Sequence, residues 1–288
     1  MAAVVGIERA GQAPAPARPA ARKRSFPVWR WIILVVAGAY FLIPLYAALR
    51  FAGFASFGQV FSQVGFTAAL TLSLKLALIT TVLTLVLMVP TTIYVHLRLP
   101  GLRPLFESIT ILPIVIPPVV LILGVLQVSP ATLKGTPNLL ALVYVILAMP
   151  FAYRSLDAGL RALDLKTLVD ASNSLGAKWP TTLWRVVLPN LRSGLLSATV
   201  LTVALVLGEF TMASLDQYQT FPVWIVNFDQ TSGPVSVAAS LFALFVTWIF
   251  LIAIAAIGSR RARRTGGSQV ALFSVAQREP GRAAAPPD

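Results

Sequence analysis

The sequence predicts an all-α membrane protein of six transmembrane helices with both termini in the cytoplasm, and three observations predict it. The first is composition. Of 288 residues, 57% are hydrophobic and 11% charged, with a mean hydropathy of +0.80; a soluble domain is about 45–50% apolar and about 25% charged. The second is the gathering of apolar residues into six runs, 31–49, 70–95, 109–128, 139–153, 195–215 and 237–257, near the roughly 20 residues that cross a bilayer as a helix. Strands of a membrane barrel would be shorter and would alternate in polarity. The third is charge. Twenty of the 23 basic residues fall in the N-terminal arm, the second–third connection, the fourth–fifth connection and the C-terminal tail. The positive-inside rule puts those four segments in the cytoplasm, as does the even number of spans.

The same observations set the domain organisation. Residues 1–28 are rich in Ala, Pro and Arg without apolar periodicity and are expected to be a disordered basic cytoplasmic arm. A transmembrane domain is expected over 29–264, with a cytoplasmic loop over 154–192, and a disordered cytoplasmic tail over 265–288. The first apolar run is too long for the core of a cleaved signal peptide. The net charge of +13 follows from topology, so membrane lipid is expected as a partner and nucleic acid is not. There is no cysteine and one histidine, His96. That excludes disulfides, thiolate metal sites and Cys nucleophiles, and leaves little for zinc. No G-x-x-x-x-G-K-[ST] loop, nucleophile elbow or H-E-x-x-H helix occurs, so no catalytic residue, cofactor or metal site is expected and energy has to come from elsewhere.

The loop is the most informative segment. Asp164 is a suitable N-cap, and Leu165, Leu168, Val169 and Leu175 share one helical face with Asp170 off it. Gly176 suits the left-handed position that ends a helix. Pro180 suits the first turn of a second short helix, to which Trp184, Val187 and Leu188 give an apolar side and which Pro189 ends. The reading is a helix–Gly turn–helix elbow over 164–189.

This elbow resembles the cytoplasmic loop of binding-protein-dependent ABC importer permeases. Their signature is Glu-Ala-Ala, three residues, Gly, nine residues, Ile, one residue, Leu-Pro. The matching residues are Asp170, Ala171 and Ser172, then Gly176, Val186, Leu188 and Pro189. Asp stands for Glu and Ser for the second Ala. The resemblance covers residues 66–257 as a MetI-like five-helix core, to which the first helix is added. It implies a multi-pass protein of the bacterial inner membrane that is not itself an enzyme. It further implies that Asp170, Ala171, Ser172, Gly176, Leu188 and Pro189 couple to a separate ABC ATPase subunit, which binds the ATP. The other implied partners are a second permease protomer, identical or homologous, and an extracytoplasmic substrate-binding protein.

Inside the spans, Glu209 is a candidate for the translocation path, because intramembrane acids are costly and face a cavity or a partner; the alternative is a packing acid. Lys75 is expected to snorkel to the surface, and His96 to be an interfacial histidine without a function. Pro113, Pro117 and Pro118 crowd the third span, with Pro90 and Pro150 in its neighbours; they kink helices, either to line a cavity or to pack. The connection over 216–236 is external, as a contact for the binding protein or a solvated loop. The third-span motif from Ile111 to Pro118 resembles the polyamine, ferric iron and phosphonate branch, and the segment from Gly208 to Ser214 resembles phosphonate-type permeases. On that resemblance the solute is a polyamine, an aminophosphonate or ferric iron. The competing readings are an ion-gradient-driven secondary transporter, which needs more paired intramembrane ionisable groups and an internal repeat, and a membrane enzyme or assembly factor, which needs a catalytic cluster.

Overall fold

The computed structural model describes residues 28–276, with side chains described within 29–256. The arm expected before Val28 and the end of the tail lie outside the described residues. The chain forms two compact units, Met1–Tyr46 and Ala47–Asp288. In the first unit the helix that starts at Val28 exposes its apolar side chains all round, as a lone helix does in lipid. The helix α1, Val28–Val60, is interrupted at Gly53, whose φ is +66°.

The second unit continues with α2 (Phe66–Arg98), α3 (Arg103–Val115), α4 (Pro118–Val128), α5 (Pro137–Arg161), α6 (Leu165–Ser174), α7 (Trp179–Thr182), a π turn over Leu183–Val187, α8 (Leu188–Asn190), α9 (Arg192–Gly208), α10 (Thr211–Leu215), α11 (Phe221–Asp229) and α12 (Gly233–Ala276). Among the described residues every regular element is helical, as the absence of water partners for backbone groups in lipid requires. Among the described residues four helices are long and apolar enough to span a membrane, and two bent pairs bring the number to six if each pair is one span.

Several boundaries differ from the sequence reading. The third span is two helices meeting at 97°. Ile116 precedes a proline and is extended (φ −77°, ψ 124°), and Pro118 starts the next helix; a residue before proline is driven out of the helical region. Pro90, Pro113 and Pro150 lie inside unbroken helices. The fourth span runs to Arg161, and the fifth ends at Gly208 rather than at 215. The last helix continues to Ala276, into the tail expected to be disordered. The connection over 216–236 is not a plain loop. It carries α11, which buries Phe221, Val223 and Trp224. Trp224 donates its indole N–H to the Val64 carbonyl at 3.1 Å, and the Phe221 N–H is taken by the Ser73 hydroxyl at 2.8 Å.

The core is the crossing of α2, α5 and α9. Gly159 on α5 and Gly194 on α9 meet backbone to backbone: a Cβ built on Gly159 would lie 3.1 Å from the Gly194 Cα and 2.9 Å from Leu191, and one on Gly194 would lie 3.0 Å from the Ser155 carbonyl oxygen. Small residues allow this approach between membrane helices. We expect Gly194→Ala to destabilise the purified protein by about 1–3 kcal/mol, the usual range for an overpacked site. Gly101→Ala, where a Cβ meets nothing within 4 Å, is the control. Thermal unfolding in detergent compares the two, and equal midpoints would contradict the close crossing.

Candidate functional site

The elbow between α5 and α9 is built from local signals. Asp164 caps α6, its carboxylate accepting the Thr167 N–H at 3.3 Å; the hydrogen bonds from Thr167 hold this carboxyl below the usual carboxylate range. At the other end Gly176 has φ +77°. Its N–H bonds the Asn173 carbonyl at 2.9 Å, and the Ala177 N–H bonds the Ser172 carbonyl at 3.1 Å. These are the two bonds of a Schellman cap, so the glycine predicted as the turn closes α6 and reverses the chain into α7.

A side-chain clasp joins the arms. The hydroxyls of Ser172 on α6 and Thr182 on α7 lie 2.9 Å apart, and both residues are buried. Leu165, Val169, Val187 and Leu191 root the elbow in a core with Met88, Ile93, Tyr153 and Leu156. Two expectations for the apolar faces are corrected. Leu175 is 89% exposed and Trp184 71% exposed. Leu175 is the residue after the last helical turn, where the chain has already begun to leave the helix, so the 3.6-residue period no longer sets its direction. Pro189 does not end the second arm, which runs on to Asn190 before a 73° bend into α9.

Of the predicted coupling residues, Asp170 and Ala171 are exposed on α6, Ser172 is buried in the clasp, and Gly176 is exposed at the tip. Leu188 and Pro189 lie in the second arm, at its junction with α9, Leu188 half-buried and Pro189 exposed. The elbow therefore presents an acid, a tight turn and exposed apolar groups on a rooted, hydrogen-bonded stem.

Beneath it lies an ionic network that the sequence did not reveal. His96 is buried within the protein: Nδ1 is 2.9 Å from the Thr92 carbonyl oxygen and Nε2 is 3.1 Å from Asp157 Oδ1. Arg161 Nε meets the other Asp157 oxygen at 2.7 Å, and Glu107 lies 3.7 Å from Arg154 and 3.9 Å from Arg161. The four-residue spacing of Asp157 and Arg161 was the one visible signal.

Glu209 stands at the break after α9, where its carboxylate accepts the Tyr144 hydroxyl at 3.0 Å, the Met212 N–H at 2.9 and 3.1 Å and the Ala213 N–H at 3.3 Å. A carboxylate is favoured at the exposed N–H groups of a helix start. Both oxygens are thus engaged in holding α10 against α5. Lys75 is exposed. Among the described residues no group of three or more His, Cys, Asp and Glu could hold a metal ion.

Comparison with known proteins matches residues 98–264 to the binding-protein-dependent transport system inner membrane component family. The chain is 29% identical over 248 residues to the molybdenum transport system permease protein ModB of Mycobacterium tuberculosis, covering 79% of this chain and 94% of that protein. It is 30% identical over 212 residues to a probable molybdenum ABC transporter permease protein of Haloferax volcanii, covering 68% and 78%. Its fold resembles a chain in the crystal structure of a bacterial alginate ABC transporter in complex with alginate pentasaccharide-bound periplasmic protein, with a TM-score of 0.60, 16% identity and 83% and 95% of the two chains covered.

The clasp is testable by a mutant cycle. Thr182→Val leaves the buried Ser172 hydroxyl without its partner and should cost about 1–3 kcal/mol, the price of an unsatisfied buried group. Adding Ser172→Ala should recover most of that loss. Additive losses in thermal or denaturant unfolding would mean that the hydroxyls are not coupled.

Proposed function

This chain belongs to the family of binding-protein-dependent transport system inner membrane components, and we propose that it forms half of the translocation path of an importer for molybdate. As a member of that family it is a multi-pass inner-membrane permease of an ABC transporter, a transport subunit and not an enzyme. Membership sets aside the ion-gradient and membrane-enzyme readings.

The observation that carries the coupling reading is the rooted elbow over residues 164–189. In this reading it lies on the cytoplasmic side, its tip resting in a groove of the ATPase with Asp170, Ala171 and Leu175 outward. Closure of two ATPase subunits on ATP draws two elbows together. Because Leu165, Val169, Val187 and Leu191 pack into the α2–α5 core, moving the tip moves those helices as a body, and the path changes the side to which it opens. A second protomer, identical or homologous, supplies the other half, and a binding protein delivers the solute from outside.

The solute follows from the relatives and from Glu209. The molybdenum permeases are matched over most of their length, which favours a tetrahedral oxyanion over the polyamine, aminophosphonate or ferric iron suggested by short motifs. A cationic solute would call for a free acid along the path, and Glu209 is the candidate for it. With four hydrogen bonds at its carboxylate, this acid is better explained as a brace beside the path than as a cation ligand.

Two experiments test the proposal. Cells lacking other molybdate uptake, supplied with this permease and its companion subunits, should accumulate labelled molybdate, with sulfate competing weakly; uptake of a polyamine and not molybdate would overturn the solute assignment. Gly176 tests the coupling. A Cβ there meets nothing within 4 Å, so the cost of a side chain is purely conformational, about 1–2 kcal/mol for ordinary residues. Gly176→Asn, which tolerates the left-handed region, should retain uptake, whereas Gly176→Val should insert normally and lose most of it. Equal uptake by both would show that the turn does not govern coupling.

A further inference from the structure

A cavity of about 440 Å³ lies at the foot of α2, where the turn Pro100–Leu102, the end of α5 and the start of α6 converge. His96, Arg103, Arg161, Asp164 and Lys166 line it. The acids around it are already committed. Asp157 serves His96 and Arg161, Glu107 lies between Arg154 and Arg161, and Asp164 caps α6 through Thr167. Arg103 and Lys166 have no acid partner among the described residues. Arg103 gives one N–H to the His96 carbonyl oxygen at 3.2 Å. Its Nε is enclosed and meets no hydrogen-bond acceptor among the described residues.

A guanidinium carries five donors in a fixed fork, and a buried donor left unmade is costly. The His96 carbonyl takes one of these donors, and the Arg103 side chain lines a cavity in which the basic residues Arg103, Arg161 and Lys166 outnumber the one acid, Asp164. Among common ligands, a tetrahedral oxyanion suits such a lining, because it can accept charged hydrogen bonds from a guanidinium and an ammonium group together. The position adds to this. The cavity sits where α2 and α5 finish, and cationic pockets between the cytoplasmic ends of spans take acidic headgroups.

We propose that this cavity binds a phosphate-like oxyanion, held by Arg103 and Lys166 with Arg161 behind them. Its source is either the headgroup of an acidic phospholipid or a free oxyanion. The bound group bridges the start of α3 to the start of α6 and so braces the elbow from a site apart from the solute path. The inference does not depend on which solute is transported.

The test uses the full chain in phosphatidylcholine nanodiscs, with the unfolding midpoint read by intrinsic fluorescence. One series raises the fraction of phosphatidylglycerol; the other adds sodium phosphate, matched in ionic strength by sodium chloride. Wild type should gain stability in at least one series. A gain with phosphatidylglycerol alone identifies the headgroup as source, and a gain with phosphate alone identifies the free oxyanion. Arg103→Gln and Lys166→Gln should require on the order of tenfold more of the same anion, the loss expected for one charged hydrogen bond. Lys178→Gln, which removes an elbow charge outside the cavity, should respond as wild type. Lys166 is exposed, so its variant keeps the test sound if Arg103→Gln does not fold. No gain in either series, or equal gains in Lys166→Gln and wild type, would overturn the proposal.

Discussion

The contact between Gly159 and Gly194 is the constraint on which the functional part of the molecule depends. The chain leaves the bundle at the end of α5 and returns at the start of α9, and those two places touch backbone to backbone. The excursion between them therefore has a closed neck. A long polar loop with separated ends would swing on two hinges. With its ends pinned together, and with Leu165, Val169, Val187 and Leu191 sunk in the core beside the neck, it is a knob on a short stem. Leu191 belongs to both features, since its side chain fills the space next to the glycine pair.

Local chemistry was legible in the sequence and pairing between distant segments was not. Asp164 and Gly176 announced the ends of α6 because capping is a property of a few consecutive residues. The Pro117–Pro118 pair announced the break in the third span, though not its angle, which depends on what each half packs against. The Ser172–Thr182 clasp, the His96–Asp157 pair and the Tyr144–Glu209 bond each join residues that only the fold brings together. Composition shows such groups as isolated polar residues, so their partners Asp157 and Tyr144 could not be named, and Glu209 stayed open between the path and a packing role. The helix over 221–229 was missed although Phe221, Trp224 and Phe228 follow a helical spacing with Pro222 in the first turn; Trp224 stacks on Phe221 and Phe228, and Phe221 and Trp224 meet Phe66 edge-on.

The substitution of Ser for Ala at position 172 also has a structural account. The family pattern asks for a small side chain because this position faces the second arm at close range. A serine is small enough and adds a hydroxyl. In a buried place that hydroxyl needs a partner, and Thr182 supplies one at 2.9 Å. The departure from the pattern is thus half of a pair. Asp170, the other departure, is exposed, where a carboxylate shorter by one methylene disturbs nothing within this chain.

Stiffness in the second arm has to coexist with a proline. Pro189 has no N–H to offer the Arg185 carbonyl, so a regular α-helix through this point would lose a bond. The backbone widens instead: the Leu188 N–H reaches back to the Leu183 carbonyl in the π turn. The Asn190 side-chain amide then bonds the Val186 carbonyl at 2.7 Å, and the Leu191 N–H bonds the Val187 carbonyl at 2.9 Å. Hydrogen bonds thus continue across the proline up to the bend into α9. A segment whose carbonyls were left to water would yield at this point when the tip was pulled. In the coupling proposed above, a pull on the tip would pass instead to Leu191 and the glycine crossing, and from there to α5 and α9 together.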